Sequence, residues 1–159
     1  MLETEINLAE LVERGGMHLA VKGTIPQEVL GSFIGMLPQL PSLPAETLLE
    51  AVLEREALMP TGIGNGIALP HPRNPLAMAE REQFTALAFL EHPIDWNSLD
   101  GKRVDTLLLI VSASAGQHLK TLSRINYLCR QGEFSELLRK RPPLSELLEY
   151  IREAEKSWK

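Results

Sequence analysis

Apolar positions fall into two alternating patterns along the chain. Helical spacing puts Val29, Leu30, Phe33, Ile34 and Leu37 on one side of a segment after Thr24, and Leu48, Leu49, Val52 and Leu53 on one side of a segment from about Ala45 to Glu56. A first short helix fits Asn7 to Arg14, with Gly15-Gly16 ending it, and Met17 to Val21 follows as a short strand. Thr24 with Gln27 reads as a capping box, and Pro26 is tolerated in the first turn. Pro38, Pro41 and Pro44 form a rigid break before the next helix.

The second half holds the two clearest strands, Phe84 to Leu90 and Val104 to Val111. The latter contains the unbroken apolar run Leu107-Leu108-Leu109-Ile110-Val111, the signature of a strand covered on both faces. Ser114 with Gln117 caps a helix from about Ala115 to Arg130, and further helices fit Glu133 to Lys140 and Leu144 to Lys156, parted by Pro142-Pro143. Between the halves lies a glycine-rich run, too irregular for a helix and too rich in glycine for an ordinary strand. This order predicts an α/β three-layer sandwich: a mixed sheet of about five strands with helices on both faces. The 159 residues fit one domain spanning 1–159.

Composition narrows the function classes. A net charge of -5 argues against a general nucleic-acid footprint, which needs a basic surface. Lys102-Arg103 and Arg139-Lys140-Arg141 read as solvated faces. One cysteine, Cys129, allows no internal disulfide and sits on an apolar stripe, so it reads as core. The start Met1-Leu2-Glu3-Thr4-Glu5 is acidic where a leader would be basic and apolar, and no window reaches the roughly 18 apolar residues of a membrane span. The expectation is a cytoplasmic protein without membrane insertion.

The candidate chemistry lies in Thr61-Gly-Ile-Gly-Asn-Gly-Ile-Ala-Leu-Pro-His71-Pro-Arg73. Pro70 and Pro72 hold His71 on a stiff extended segment, which suits a group that must meet a partner in one geometry. Gly62, Gly64 and Gly66 permit sharp bends whose amides form a concave anion site. Neither a Gly-Lys-Ser/Thr nor a helix at the right glycine follows, so the run fits neither a P-loop nor a dinucleotide fingerprint. An imidazole with glycines and no lysine fits phosphoryl transfer through histidine, because a neutral imidazole is a competent nucleophile near pH 7. On these residues alone, an ordinary histidine in a proline turn remains open.

This segment resembles the active-site segment of the enzyme IIA domains of the bacterial phosphoenolpyruvate-dependent phosphotransferase system, of the fructose/mannitol type that includes nitrogen-regulatory members. Three further elements in order carry the resemblance. They are Arg55-Glu56 before the glycine run, Pro93-Ile94-Asp95-Trp96 with Asp100-Gly101, and Gln117-His118-Leu119-Lys120. The resemblance implies that His71 takes a phosphoryl group from the carrier protein HPr and passes it to a cysteine of an enzyme IIB domain. It places His118 beside His71, orienting it or contacting the phosphoryl oxygens, and makes Arg55 a donor of charge-assisted hydrogen bonds to them. Thr61 and Asn65 become candidate phosphoryl contacts. No cofactor is implied. Pro72-Arg73-Asn74-Pro75 replaces the Gly-Lys or Gly-Thr of many members and bears on partner choice.

Other readings stay in view. Arg55 can instead pair with Glu56 or Glu50, and His118 can be a polar surface residue. His92 receives no role, His18 reads as surface or structural, and Asp95, Trp96 and Asp100-Gly101 set hairpin geometry. The alternative function is a nitrogen-regulatory IIA module whose phosphorylation state controls binding to a regulatory partner. A zinc hydrolase using His71 and His118 lacks any closely spaced ligand pair, and a serine or cysteine nucleophile lacks its elbow.

Overall fold

Five strands form one sheet in the order β1-β4-β5-β3-β2, in a computed structural model that describes residues 5–158. The acidic start read from Met1 to Thr4 lies outside the described residues. The elements run α1 (Leu8–Gly15), β1 (Met17–Val21), α2 (Pro26–Met36), α3 (Ala45–Leu58), β2 (Gly62–Gly64), β3 (Ile67–Ala68), β4 (Phe84–Ile94), β5 (Val104–Val111), α4 (Ala115–Cys129), α5 (Gly132–Arg139) and α6 (Leu144–Glu155). β1 runs parallel to β4, and β3 parallel to β5. The β4–β5 and β2–β3 pairs are antiparallel, so the sheet is mixed as expected.

Strand alternation explains the unbroken apolar run. Leu107, Leu109 and Val111 face the layer of α2 and α3, where Leu30, Phe33, Leu48 and Val52 pack. Leu108 and Ile110 face the other layer, with Leu8, Ile125, Phe134, Leu147 and Ile151 from α1, α4, α5 and α6. Each strand side chain therefore enters one of two cores, and full burial of each contributes about 1.5–3 kcal/mol. Cys129 belongs to the second core, and burial pushes its thiol up to about 12.

Several local devices close the elements. The Asn7 side chain accepts the Glu10 N–H at the start of α1, while the Glu155 carboxylate of α6 accepts the Leu8 and Ala9 N–H groups at 2.7 and 3.1 Å. At Gly15 the backbone meets β4 so closely that a Cβ would lie 2.1 Å from the Thr85 carbonyl oxygen. Arg139, Lys140 and Arg141 are all exposed, as expected of a solvated face, and the Arg141 guanidinium also donates to the Leu90 carbonyl and lies over the Phe89 ring.

Two expected capping boxes form differently. Ile25 is the N-cap of α2, with Pro26 in the first turn, and Thr24 donates from its N–H and hydroxyl to Glu28 rather than engaging Gln27. Ser114 does cap α4 by accepting the Gln117 N–H, but the Gln117 side chain donates to Glu80 at 2.7 Å. The glycine-rich run, expected to be irregular, forms the β2–β3 hairpin instead. Asn65 and Gly66 turn it with φ of 57° and 80°, the geometry that Asn-Gly adopts without a Cβ penalty at the second position.

Among the described residues no helix is long and apolar enough to cross a membrane.

Candidate functional site

His71 follows the C-terminal end of β3, and α4 begins four residues after the C-terminal end of the parallel neighbour β5. Adjacent parallel strands thus deliver the histidine segment and a helix start to the same edge of the sheet, where α/β folds bind ligands. The Ile110 N–H donates to the Pro70 carbonyl at 3.0 Å and extends the β3–β5 ladder up to His71. Pro70, His71 and Pro72 are all buried, so the imidazole sits on a clamped backbone rather than a mobile loop.

The His71 ring is fixed by its own backbone. Nδ1 lies 2.7 Å from the Leu69 carbonyl oxygen. A carbonyl only accepts, so Nδ1 carries the proton and Nε2 holds the lone pair in the neutral ring. Burial lowers the His71 pKa below the ordinary histidine value. The Leu69 carbonyl acts in the opposite direction, and the Arg55 charge adds to the lowering. The result is a neutral imidazole near pH 7 with one defined nucleophilic nitrogen.

His118 lies in the first turn of α4, its N–H bonded to the Ser114 carbonyl, and its ring centroid is 4.9 Å from that of His71. Its pKa is lowered by burial, then by the His71 and Arg55 charges. Arg55 near the end of α3 therefore acts on both imidazoles, and its Nη1 donates to the Met59 carbonyl at 2.6 Å. It forms no ion pair with Glu56 or Glu50 among the described residues. Three residues distant in sequence thus converge: a buried imidazole, a second imidazole and a guanidinium. The Arg55 charge, beside imidazoles that are neutral near pH 7, suits an incoming phosphoryl group.

The two other expected phosphoryl contacts, Thr61 and Asn65, make hydrogen bonds within the protein. Thr61 is buried, and its hydroxyl and N–H both donate to Glu56, at 2.6 and 2.7 Å. Asn65 occupies the hairpin turn at the far end of β3 from His71, where its N–H donates to the Asp100 carboxylate at 2.9 Å. Gly64 and Gly66 also lie against carboxylates, those of Asp100 and Asp105. The glycine bend therefore cradles the protein's own acidic groups, and the expected anion concavity is filled from within. Asp100 also accepts the Lys102 N–H and Asp95 the Asn97 N–H, so both order the loop between β4 and β5. His92 is exposed, while His18 Nε2 donates to the Gly15 carbonyl.

Two contributors escaped the sequence reading. The Leu69 carbonyl sets the His71 tautomer, and no side-chain pattern reports a backbone acceptor. Glu56 accepts Trp96 Nε1 at 3.0 Å as well as both Thr61 donors. The signal available was Trp96 itself, since a buried indole N–H needs an acceptor. Among the described residues no three His, Cys, Asp or Glu side chains gather as a metal-ligating group.

Residues 23–154 match the family model described as phosphoenolpyruvate-dependent sugar phosphotransferase system, EIIA 2. The chain is 31% identical over 149 residues to the nitrogen regulatory protein of Pseudomonas aeruginosa, covering 92% of this chain and 95% of that one. It is 33% identical over 107 residues to the PTS system 2-O-alpha-mannosyl-D-glycerate-specific EIIABC component of Escherichia coli, covering 66% of this chain and 16% of that one. The crystal structure of nitrogen regulatory protein IIA-Ntr from Neisseria meningitidis superposes with a TM-score of 0.78 at 23% identity, covering 90% of this chain and 97% of that one.

Proposed function

The chain belongs to the EIIA 2 family of the phosphoenolpyruvate-dependent sugar phosphotransferase system, and on that premise we propose that it is a histidine phosphocarrier working through His71 Nε2. The observation that carries this reading is the 2.7 Å bond from Nδ1–H to the Leu69 carbonyl, which leaves Nε2 as the nucleophile beside Arg55 and His118.

The donor is an HPr-type carrier bearing a phosphohistidine. His71 Nε2 attacks phosphorus, an N–P bond forms, and the donor's P–N bond breaks with its electron pair returning to the donor imidazole. Positive charge develops on the His71 ring as the bond forms, and the Leu69 carbonyl, already aligned on Nδ1–H, stabilises it. Arg55 and His118 meet the charge spread over the phosphoryl oxygens. Onward transfer reverses the step: a thiolate of an enzyme IIB cysteine attacks phosphorus, a P–S bond forms, and His71 regains its lone pair. Thr61 and Asn65 drop out of the phosphoryl-binding set, one bonded to Glu56 and the other at the turn.

A regulatory use of the same phosphohistidine has its own support. Over nearly its whole length the chain aligns with a protein named for nitrogen regulation, whereas the sugar-specific component is matched over a small part of its length. In that reading the phosphorylation state of His71 controls association with a regulatory protein.

Incubation with phosphoenolpyruvate, enzyme I and HPr tests the carrier reading. Label is expected on the wild-type chain and not on His71→Ala; label retained by that variant would reject the assignment. Adding an enzyme IIB separates the two uses, since discharge to its cysteine supports transport. A partner that binds one phosphorylation state and leaves the phosphate in place supports regulation.

A further inference from the structure

We propose that Glu56 is a positioning residue for phosphoryl transfer, its carboxylate tying the Arg55 end of α3 to the hairpin that carries His71. The proposal rests on the phosphocarrier reading above. Glu56 Oε2 accepts the Thr61 N–H at 2.7 Å and the Trp96 indole N–H at 3.0 Å, and Oε1 accepts the Thr61 hydroxyl at 2.6 Å. Three donors from two segments therefore converge on one carboxylate, each bond charge-assisted.

The tie continues to the nucleophile. The Thr61 carbonyl accepts the Leu69 N–H at 3.0 Å, and the Leu69 carbonyl accepts His71 Nδ1–H at 2.7 Å. Glu56, Thr61, Leu69 and His71 thus form one relay of short hydrogen bonds. Arg55 is the covalent neighbour of its first member. Successive residues on a helix point about 100° apart, so Glu56 faces the hairpin and the Trp96 loop while Arg55 lies where its charge acts on both histidines. The Glu56 carboxylate accepts three hydrogen bonds on that side and makes no ion pair with Arg55 among the described residues.

Local structure alone leaves the position of Arg55 loose. α3 ends at Leu58 without a glycine cap, and the chain returns to the sheet through Met59 and Pro60, both exposed. The Arg55 bond to the Met59 carbonyl stays within that same end and does not reach the hairpin. Glu56 supplies the bond across, and Trp96, 2% exposed, anchors it from below.

The chemistry of the side chain predicts which substitutions matter. Glu56→Ala removes all three acceptor bonds. Glu56→Gln can keep them, because the amide oxygen accepts the Thr61 and Trp96 N–H groups while the amide nitrogen donates to a rotated Thr61 hydroxyl. The full chain would be assayed with HPr kept phosphorylated by enzyme I and phosphoenolpyruvate, alongside NMR titration of His71 and His118. For Glu56→Ala, transfer at saturating donor is expected to slow about ten- to a hundredfold, as a misplaced group far from the reacting atoms does. KM for the donor stays within about twofold, since the outer surface is unchanged. Both histidine pKa values rise as Arg55 drifts away, whereas Glu56→Gln behaves as wild type in every readout. Should Glu56→Ala fail to fold, Thr61→Val and Trp96→Phe decide, each predicted to show the same pattern in weaker form and Thr61→Ser none.

A folded Glu56→Ala with wild-type rate and titrations would overturn the proposal. So would Glu56→Gln as impaired as Glu56→Ala, which would make charge the active property. A wild-type chain that takes no phosphate would sink the carrier reading, while the titrations would still judge the tie.

Discussion

The imidazole of His118 lies 4.9 Å from that of His71, the two rings tilted by 45°. At this separation a proton on one ring opposes a proton on the other, and the His71 charge is one of the causes that lower the His118 pKa. Replacing His71 by Gln is therefore expected to raise the His118 pKa toward its ordinary value. A ¹H–¹⁵N titration reads it directly, and an unmoved His118 midpoint would show that the rings do not sense each other.

The same two histidines set a pH dependence of stability. Both have pKa values below the ordinary histidine value of 6.5 in the folded chain, so the unfolded chain takes up these protons first as pH falls. Between the folded values and 6.5 the unfolded state binds more protons, and unfolding free energy rises with pH across that window. The contribution is complete above 6.5 and is lost on acidification. Thermal midpoints measured from pH 7 to pH 5 should fall, and the fall should be shallower in a His71→Gln/His118→Gln variant. An equal slope in the two proteins would assign the acid sensitivity to other groups.

Gly62 has no room for a side chain. A Cβ there would meet Ser98 Oγ at 2.1 Å, and that hydroxyl is buried without a hydrogen-bond partner. Gly62→Ala is predicted to destabilise the fold by about 1–3 kcal/mol through overpacking. Ser98→Gly in the same chain should recover part of the loss, while Ser98→Ala alone should be close to neutral because it deletes an unsatisfied polar group. Denaturant melts of the single and double variants give the coupling energy, and strict additivity would contradict this contact.

Asn65 discriminates a turn residue from a phosphoryl ligand. Its φ of 57° and its N–H bond to Asp100 define the hairpin turn, away from His71. Asn65→Gly should fold with nearly unchanged stability and be phosphorylated at the wild-type rate, because glycine adopts that geometry readily. A large loss of phosphorylation in a folded Asn65→Gly would return Asn65 to the site.

The long elements were legible because their periodicity is strong. Leu107 to Val111 announced a doubly covered strand, and the apolar stripes of α2 and α3 announced helices packed on one side. The hairpin at Gly62–Ala68 was hidden for a physical reason: strands of three and two residues are too short to display an alternation. Its Asn65-Gly66 turn signal was obscured by the neighbouring glycines. At the candidate site, the prolines and glycines around His71 left an ordinary proline-turn histidine open, and the family resemblance pointed to His71, Arg55 and His118 together. Their convergence depends on the parallel pairing of β3 with β5, which no local pattern encodes. The bonds of Thr61 to Glu56 were not legible, because a threonine beside a candidate anion site looks the same whether its hydroxyl serves a ligand or a neighbouring glutamate. Leu69 was invisible, since its contribution comes from a carbonyl that every residue possesses.

In the proposed transfer, the Leu69 carbonyl holds the proton on Nδ1 and leaves Nε2 of His71 to form the bond to phosphorus. The most direct measurement is NMR of the ¹⁵N-histidine-labelled chain after phosphorylation by phosphoenolpyruvate, enzyme I and HPr. Phosphorus coupled to Nε2 of His71, with Nδ1 still protonated, is the predicted result. Phosphorus on Nδ1, on His118, or on a group that survives His71→Ala would contradict it.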